Sequence, residues 1–150
     1  MFGGIPMATS SILGPAAVLI LWSLILMLWM TATRFPAFKK VGIDIATVPR
    51  GARYADVEQD MPAKVNWVSH NFTHLMEQPT IFYAVIAVLA IAGDTSSLSL
   101  AAAWGYTGFR IAHSLWQSLV NIVIVRTVLF VLGTLCLWVL AVNAIRITLG

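Results

Sequence analysis

The chain has 150 residues, of which 59% are hydrophobic and only 10% are charged, and its formal net charge is +3. About a quarter of the residues of an ordinary soluble domain are charged, so this composition excludes a water-facing surface and predicts an integral membrane protein. The length excludes two sizeable domains, and we expect residues 1–150 to form a single membrane domain.

Hydropathy predicts four membrane-spanning helices, at about residues 12–33, 65–92, 98–120 and 122–149. The first apolar run follows the segment MFGGIPMATSS and is longer than the hydrophobic region of a signal peptide. It has neither a basic region before it nor an A-x-A cleavage site after it, so we interpret it as a retained anchor. The predicted fold is therefore an all-α, four-helix transmembrane bundle.

The long connection between the first two spans, residues 34–64, is the most charged part of the chain. The next connection contains Asp94 and no base, so the positive-inside rule places the long loop in the cytoplasm and both termini outside. The loop also contains acids, which predicts a mixed-charge surface near anionic headgroups and no nucleic-acid partner. Its bases are Arg34, Lys39, Lys40, Arg50, Arg53 and Lys64, and its acids are Asp44, Asp56, Glu58 and Asp60.

The second predicted span is polar in its first half. Asn66, His70, His74 and Glu77 lie at offsets of four, eight and eleven, which places them on one helix face. Pro79 follows, and a proline there frees a carbonyl one turn earlier and predicts a kink just beyond the polar half.

The third span has a matching polar stripe. Arg110, His113, Gln117 and Asn121 lie at offsets of three, seven and eleven, again on one face. An arginine and a histidine are costly in lipid, so we expect them to face protein or water and to mark a site. Asn121 also fits a second interpretation, as a cap in the tight turn before the fourth span.

Counting the helical rise from the cytoplasmic ends places Glu77 and Arg110 at similar depth. We therefore predict an ion pair between them, which either locks the helices in register or belongs to a site. A lock does not need three histidines and a glutamine at the cytoplasmic half of the same interior. These residues favour a bound polar ligand over a satisfied polar core; they are His70, His74, His113 and Gln117.

Arg126 lies about one turn into the fourth span. Its guanidinium either extends to the lipid headgroups or faces the interior. In the second case it would stabilise an anion such as a thiolate or a carboxylate, which is a catalytic use. Cys136 stands alone in the middle of the same span and receives no role, so a reacting thiol would have to come from elsewhere.

Two other kinds of site remain open. His70, His74 and Glu77 place two imidazoles and a carboxylate on one face, with His113 as a fourth ligand, which is a pattern for a metal site. Charges inside a membrane also suggest a transporter or channel, but the four short spans show no inverted repeat and no pair of broken helices.

Taken together, the four spans, the basic first loop, the glutamate before a proline, Arg110-x-x-His113 and the early Arg126 resemble the MAPEG family, the membrane-associated proteins of eicosanoid and glutathione metabolism. The resemblance implies a homotrimer with glutathione, as co-substrate, bound between adjacent subunits. It also implies contact with membrane lipids and a hydrophobic small-molecule substrate. Because relatives include catalysts and a non-catalytic scaffold, the fold does not fix the chemistry.

The resemblance also assigns residues. Arg126 matches the arginine proposed to stabilise the glutathione thiolate, and Arg110 with His113 matches the helix-three pair that contacts glutathione. Glu77 matches the glutamate that binds its amino end. In the family pattern Arg-x-x-x-Asn-x-x-Glu, the arginine and the asparagine are replaced here by histidines, and the expected helix-three tyrosine is Gln117. The remaining candidates for the glutathione site are His70, His74, Asn121, Thr127 and Arg34.

The resulting expectation is a glutathione-dependent membrane transferase or peroxidase that acts on hydrophobic electrophiles or lipid peroxides, with Arg126 as the catalytic residue. The alternative is a non-catalytic scaffold of the same fold that binds lipid or glutathione. We expect a multi-pass protein of a bacterial inner membrane, or of the endoplasmic reticulum if the source is eukaryotic.

Overall fold

The computed structural model describes residues 7–150, with side chains from Ile12 onward; the first residues of MFGGIPMATSS lie outside this range. Within the described residues all regular secondary structure is helical. The longest connection, residues 41–62, is a loop that includes two single turns of 3₁₀ helix, and a short turn at residues 92–96 connects the third and fourth α-helices. The α-helices are α1 (Met7–Lys40), α2 (Ala63–Leu75), α3 (Gln78–Ile91), α4 (Ser97–Leu119) and α5 (Val123–Leu149).

The second predicted span is divided into α2 and α3. The last turn of α2 closes when the Met76 N–H donates to the Phe72 carbonyl at 3.2 Å. Glu77 then caps the start of α3, and Pro79 is the second residue of that helix, where its missing N–H breaks no intrahelical hydrogen bond. The predicted kink is thus a break in the helix, and the all-helical fold is confirmed.

In the part of the chain that the structure describes, three helical segments are long and apolar enough to cross a membrane: Ile12–Lys40, Ala63–Ile91 and Val123–Leu149. The predicted third span is the 23-residue helix α4, which does not reach the same apolarity. The polar residues of α4 are on its buried face, since Arg110 and His113 are buried while Leu98 and Leu119 are exposed. Polar side chains thus face the interior of the bundle, as their cost in lipid requires.

The first helix is longer than its apolar run predicts, because it continues to Lys40. The predicted loop 34–64 therefore begins with two more turns of helix. These turns keep Arg34 and the two lysines on a rigid element, and Ala37 among them is buried. The irregular part of the connection starts only after Lys40.

The helices pack around α4, which contacts α5 most extensively and also contacts α1 and α2. The core between them is apolar, and its centre is the stack of Tyr106 on Phe82, whose ring centroids lie 4.3 Å apart. Large apolar side chains on the outside, such as those of Leu28, Ile124 and Trp138, are 65%, 71% and 65% exposed. A surface of this kind is suited to lipid or to a second apolar chain.

A polar lock closes the end of the bundle where α3 turns into α4. The buried carboxylate of Asp94 accepts from the Ser96 N–H at 2.9 Å and from the Asn143 amide at 3.0 Å. The Asn143 amide also reaches the Ser99 hydroxyl. Since both carboxylate oxygens have a donor, this cluster fixes α3, α4 and α5 relative to one another.

Candidate functional site at the junction of α2, α4 and α5

At the opposite end of α4, His113 connects α4 to the first turn of α5. Its Nδ1 lies 2.8 Å from the backbone carbonyl oxygen of Arg126, and its Nε2 lies 3.0 Å from the side-chain amide of Gln117. A carbonyl oxygen only accepts, so Nδ1 carries a proton and donates it there. The imidazole thereby fixes the backbone position from which the Arg126 side chain extends.

Asn121 holds the guanidinium of Arg126. The asparagine has a left-handed backbone (φ +58°) in the turn between α4 and α5, and its N–H donates to the Trp116 carbonyl at 2.8 Å. Its side-chain oxygen accepts from Arg126 Nη1 at 2.8 Å. The two interpretations of Asn121 therefore coincide, because one residue both makes the turn and positions the half-buried Arg126.

Arg110 lies deeper in the bundle and is 1% exposed. Its Nη2 donates to the His74 carbonyl at 2.9 Å, next to the break between α2 and α3. Its Nε and Nη1 are buried and have no hydrogen-bond partner among the described residues. The helix break thus gives Arg110 one acceptor and leaves most of its donor capacity unused.

The predicted ion pair between Glu77 and Arg110 is wrong. The Glu77 carboxylate instead contacts His74 Nδ1 at 2.9 Å, and its side chain is 63% exposed. The depth estimate placed the two residues at one level, but Glu77 lies at the helix break, where the chain no longer follows the face of α2. The carboxylate therefore points outward while Arg110 points inward.

His74 joins the helix-two residues to this group. Its ring centroid lies 5.1 Å from that of His113 and 5.3 Å from that of Phe130 on α5. The polar residues of α4 and α5, together with their neighbours near the helix break, form one connected set, which we call the arginine cluster: His74, Glu77, Arg110, His113, Gln117, Asn121 and Arg126.

Three candidates lie outside the arginine cluster. His70 is paired with the loop carboxylate of Glu58, and its side chain is 52% exposed. Arg34 donates to the Ser69 hydroxyl at 2.8 Å, and the Thr127 hydroxyl donates to the Val123 carbonyl in its own helix. Helical spacing placed His70 with the others, whereas Arg34 and Thr127 were candidates from the family resemblance.

The geometry does not support the metal-site alternative. His70 and His74 turn to different carboxylates, since His70 contacts Glu58 and His74 contacts Glu77. Among the residues that the structure describes, no group of three or more His, Cys, Asp or Glu side chains is placed to hold a metal ion.

Asn71, which helical spacing did not single out, is 1% exposed and lies beside the predicted stripe of α2. Its amide nitrogen is 2.8 Å from the hydroxyls of both Ser114 and Ser118 and 2.9 Å from the Ser114 carbonyl. The Trp22 indole donates to Ser114 as well, at 3.0 Å. Each of the two serines directly follows a member of the α4 stripe, so their spacing could have indicated a second polar face beside that stripe. The group ties α1, α2 and α4 together.

The charge of the arginine cluster is unbalanced. Among the described residues, neither Arg110 nor Arg126 forms an ion pair with a carboxylate, and both donate only to neutral oxygens. In an apolar bundle two such cations attract an anion more strongly than they would in water. The arrangement is therefore suited to holding a carboxylate or a thiolate.

Fold and site together define an all-helical membrane protein with a basic, anion-accepting group of side chains at one end of its bundle. A comparison with models of protein families identifies the MAPEG family over residues 12–146. The chain belongs to this family. Separate comparisons with curated proteins and with solved structures found no match.

Proposed function

We propose that the protein is a glutathione-dependent membrane transferase or peroxidase that acts on hydrophobic electrophiles or lipid peroxides. The observation that supports this most is the presence of two guanidinium groups without a carboxylate partner, among the described residues of a MAPEG bundle. MAPEG membership supports a role in glutathione or eicosanoid metabolism, and the unbalanced cations are what a thiolate needs.

The thiol has to come from the co-substrate. Cys136 lies ten residues after Arg126 on the same helix, which is about 15 Å along the axis. Arg126 has five N–H donors and uses one for Asn121, so the others can point at a sulfur. A guanidinium in contact with a thiol lowers the pKa of that thiol and so raises the share of the reactive thiolate at neutral pH.

Glu77 supplies the complementary charge. Its carboxylate is exposed and lies at the edge of the arginine cluster, where it can bind the amino group of glutathione. His74 contacts Glu77 and is stacked near His113, so it connects the acidic edge to the basic interior. A zwitterionic tripeptide would place its amino end at Glu77 and its thiol at Arg126.

Two reactions follow from a stabilised thiolate. In conjugation the sulfur forms a bond to an electrophilic carbon and the leaving group departs with its electron pair. In peroxide reduction the thiolate cleaves the O–O bond, and a second glutathione completes a disulfide while the peroxide becomes an alcohol and water. Both need a hydrophobic partner, which the surrounding bilayer delivers.

Assembly as a homotrimer is part of the proposal. The site is open at Glu77, and long rows of apolar side chains on α1 and α5 are exposed in the single chain. A second copy packed there would cover part of the polar edge and enclose the glutathione between subunits. The proposed setting is a multi-pass protein of a bacterial inner membrane, with the loop after α1 in the cytoplasm.

The test uses the full chain purified in detergent, with glutathione, an aryl halide and an organic hydroperoxide. Arg126→Ala is expected to lower the glutathione-dependent rate by about two to three orders of magnitude. The rate of Arg126→Lys should lie between those of the wild type and Arg126→Ala, since lysine keeps the positive charge but lacks the planar guanidinium with its several N–H donors. Arg146→Ala, at the far end of α5, is the matched control and should behave as the wild type.

Two outcomes would overturn the proposal. If Arg126→Ala keeps the full rate, then Arg126 does not stabilise the thiolate. If glutathione raises the melting temperature but no substrate of a broad panel is turned over, the protein is a scaffold that binds glutathione without catalysis.

A further inference from the structure

A second basic pocket lies at the end of α1, in a part of the molecule that the proposed reaction does not use. It is a cavity of about 560 Å³ between the last turns of α1 and the irregular segment that follows. Ligand pockets usually have roughly 300–1,000 Å³, so the size is sufficient for part of a lipid. Its walls are mainly apolar, and they include Met30, Phe35, Phe38, Ile43, Ile45 and Val48.

Among the residues that the structure describes, two arginines and no acidic residue line this pocket. The Arg34 guanidinium carbon lies 3.9 Å from the ring centre of Tyr54, which also packs edge-on against Phe38 with 6.1 Å between ring centroids. Arg34 Nη2 donates to Ser69, while its Nε is buried without a partner among the described residues. Arg53, the second cation, lies on the exposed side.

Among the described residues, three of the acids of this loop contact backbone N–H groups or a histidine rather than the charged end of a lysine or arginine. Asp44 accepts from the Ala46 N–H at 3.0 Å, Asp56 accepts from the Arg53 N–H at 2.7 Å, and Glu58 is paired with His70. Among the described residues, no lysine or arginine between 34 and 64 forms an ion pair with a carboxylate. The guanidinium groups that line the pocket are therefore not neutralised by an ion pair and can attract an anion.

The position of Arg34 along α1 fixes the depth of the pocket. Arg34 follows Ile12 by 22 residues, which is about 33 Å of helix, close to the roughly 30 Å thickness of a hydrocarbon core. The guanidinium thus lies where the apolar core meets the headgroups. Phe35 is the next residue along α1, and Met30 lies about 6 Å closer to the apolar core, so the part of the wall that these two residues form is level with the first carbons of an acyl chain.

We propose that this pocket binds one acidic phospholipid, with its phosphate between Arg34 and Arg53 and the start of its acyl chains along Met30 and Phe35. A free anion would use the cations but not the apolar wall, and a neutral lipid would use the wall but not the cations. The proposal does not depend on glutathione chemistry, because Arg34 hydrogen-bonds to Ser69 and to no member of the arginine cluster.

The experiment titrates the full chain, stripped of lipid in a neutral detergent, with phosphatidylglycerol or with phosphatidylcholine, and counts bound lipids by native mass spectrometry. We expect one phosphatidylglycerol per chain, bound at least about tenfold more tightly than phosphatidylcholine. Arg53→Gln should weaken it about fivefold, the effect of removing one cation near a membrane surface. Ala52→Trp fills the cavity without changing any charge and should abolish the preference.

Lys64→Gln is the matched control, because it removes one charge from the first turn of α2, directly after the loop, and does not line the pocket. Arg53, Ala52 and Lys64 are all exposed, so these variants should keep the melting temperature of the lipid-free protein. The proposal is overturned if the two lipids bind equally, if Lys64→Gln weakens binding as much as Arg53→Gln, or if Ala52→Trp has no effect. Equal competition by free glycerol phosphate would also overturn it, since the acyl chain would then contribute nothing.

Discussion

The two ends of α4 carry buried polar groups of opposite character. At the Asp94 end, both carboxylate oxygens have donors at 2.9 and 3.0 Å, and the group is a lock. At the Arg126 end, Arg110 leaves two buried nitrogens without partners among the described residues. A buried group that is satisfied holds a fold together, whereas one that is left unsatisfied costs stability and is retained where a ligand completes it.

The largest expected effect comes from removing the unsatisfied cation. Arg110→Met keeps much of the side-chain volume and removes a buried charge that has no ion-pair partner, so the melting temperature should stay the same or rise. The glutathione-dependent rate should fall at least about a hundredfold, because an anion-binding group is lost. Thermal unfolding and steady-state kinetics on the same preparation measure both.

A lower melting temperature together with an unchanged rate would contradict this interpretation. Arg110 would then be a lock like Asp94, and the contrast between the two ends of α4 would disappear.

Asp94→Ala should show the reverse pattern. It leaves the half-buried Ser96 N–H and Asn143 amide without the Asp94 acceptor, and we expect the free energy of unfolding to fall by about 1–3 kcal/mol, the range for losing hydrogen bonds to a buried charged group. The rate per folded molecule should not change. Reversible denaturation in mixed micelles checks the first value, and activity corrected for the folded fraction checks the second.

Asp94→Asn is the control, because it keeps one acceptor oxygen for Ser96 but presents an amide to Asn143. A loss between those of the wild type and Asp94→Ala is expected. No loss in either variant would show that the cluster is not a lock.

At Asn121 the turn can be separated from the charge. Glycine accepts the backbone φ of +58° without strain, so Asn121→Gly keeps the turn, loses the hydrogen bond to Arg126 and should lower kcat/KM for glutathione a few-fold. Asn121→Asp places a carboxylate against the guanidinium and should lower it about tenfold, because the cation is then neutralised.

The order of the two variants is the informative result. If Asn121→Asp is as active as the wild type, the positive charge of Arg126 is not what the reaction uses. If kcat/KM falls further in Asn121→Gly than in Asn121→Asp, the reaction depends on the turn more than on the charge of Arg126.

The smallest effect is expected at His70, which stands where the family pattern has an arginine. Because Glu58 is paired with His70, His70→Arg alone should change little. The double variant His70→Arg with Glu58→Gln frees the guanidinium for a glutathione carboxylate and should lower KM about threefold, with kcat unchanged. Glu58→Gln alone is the control, and a double variant with the KM of this control would rule out His70 as part of the glutathione site.

Periodicity and hydropathy were sufficient to predict an all-helical chain and to place Arg110, His113 and Gln117 on one buried face, since both depend only on spacing. They did not give the direction of Glu77, because the helix breaks there and the face of α2 does not continue. They also missed Asn71, whose partners Ser114 and Ser118 are small and polar and stand out only once α2 and α4 are seen to pack together. The continuation of α1 beyond its apolar run was not predicted, because hydropathy indicates which residues lie in lipid and does not show where a helix ends.

The most direct test of the central claim, that Arg126 stabilises a thiolate, is the ultraviolet difference spectrum of glutathione added to the protein at neutral pH. We predict a thiolate absorption band with the wild type and with Arg146→Ala. Arg126→Ala should give no such band at a glutathione concentration that saturates this variant. A band of equal amplitude with Arg126→Ala would show that Arg126 does not stabilise the thiolate.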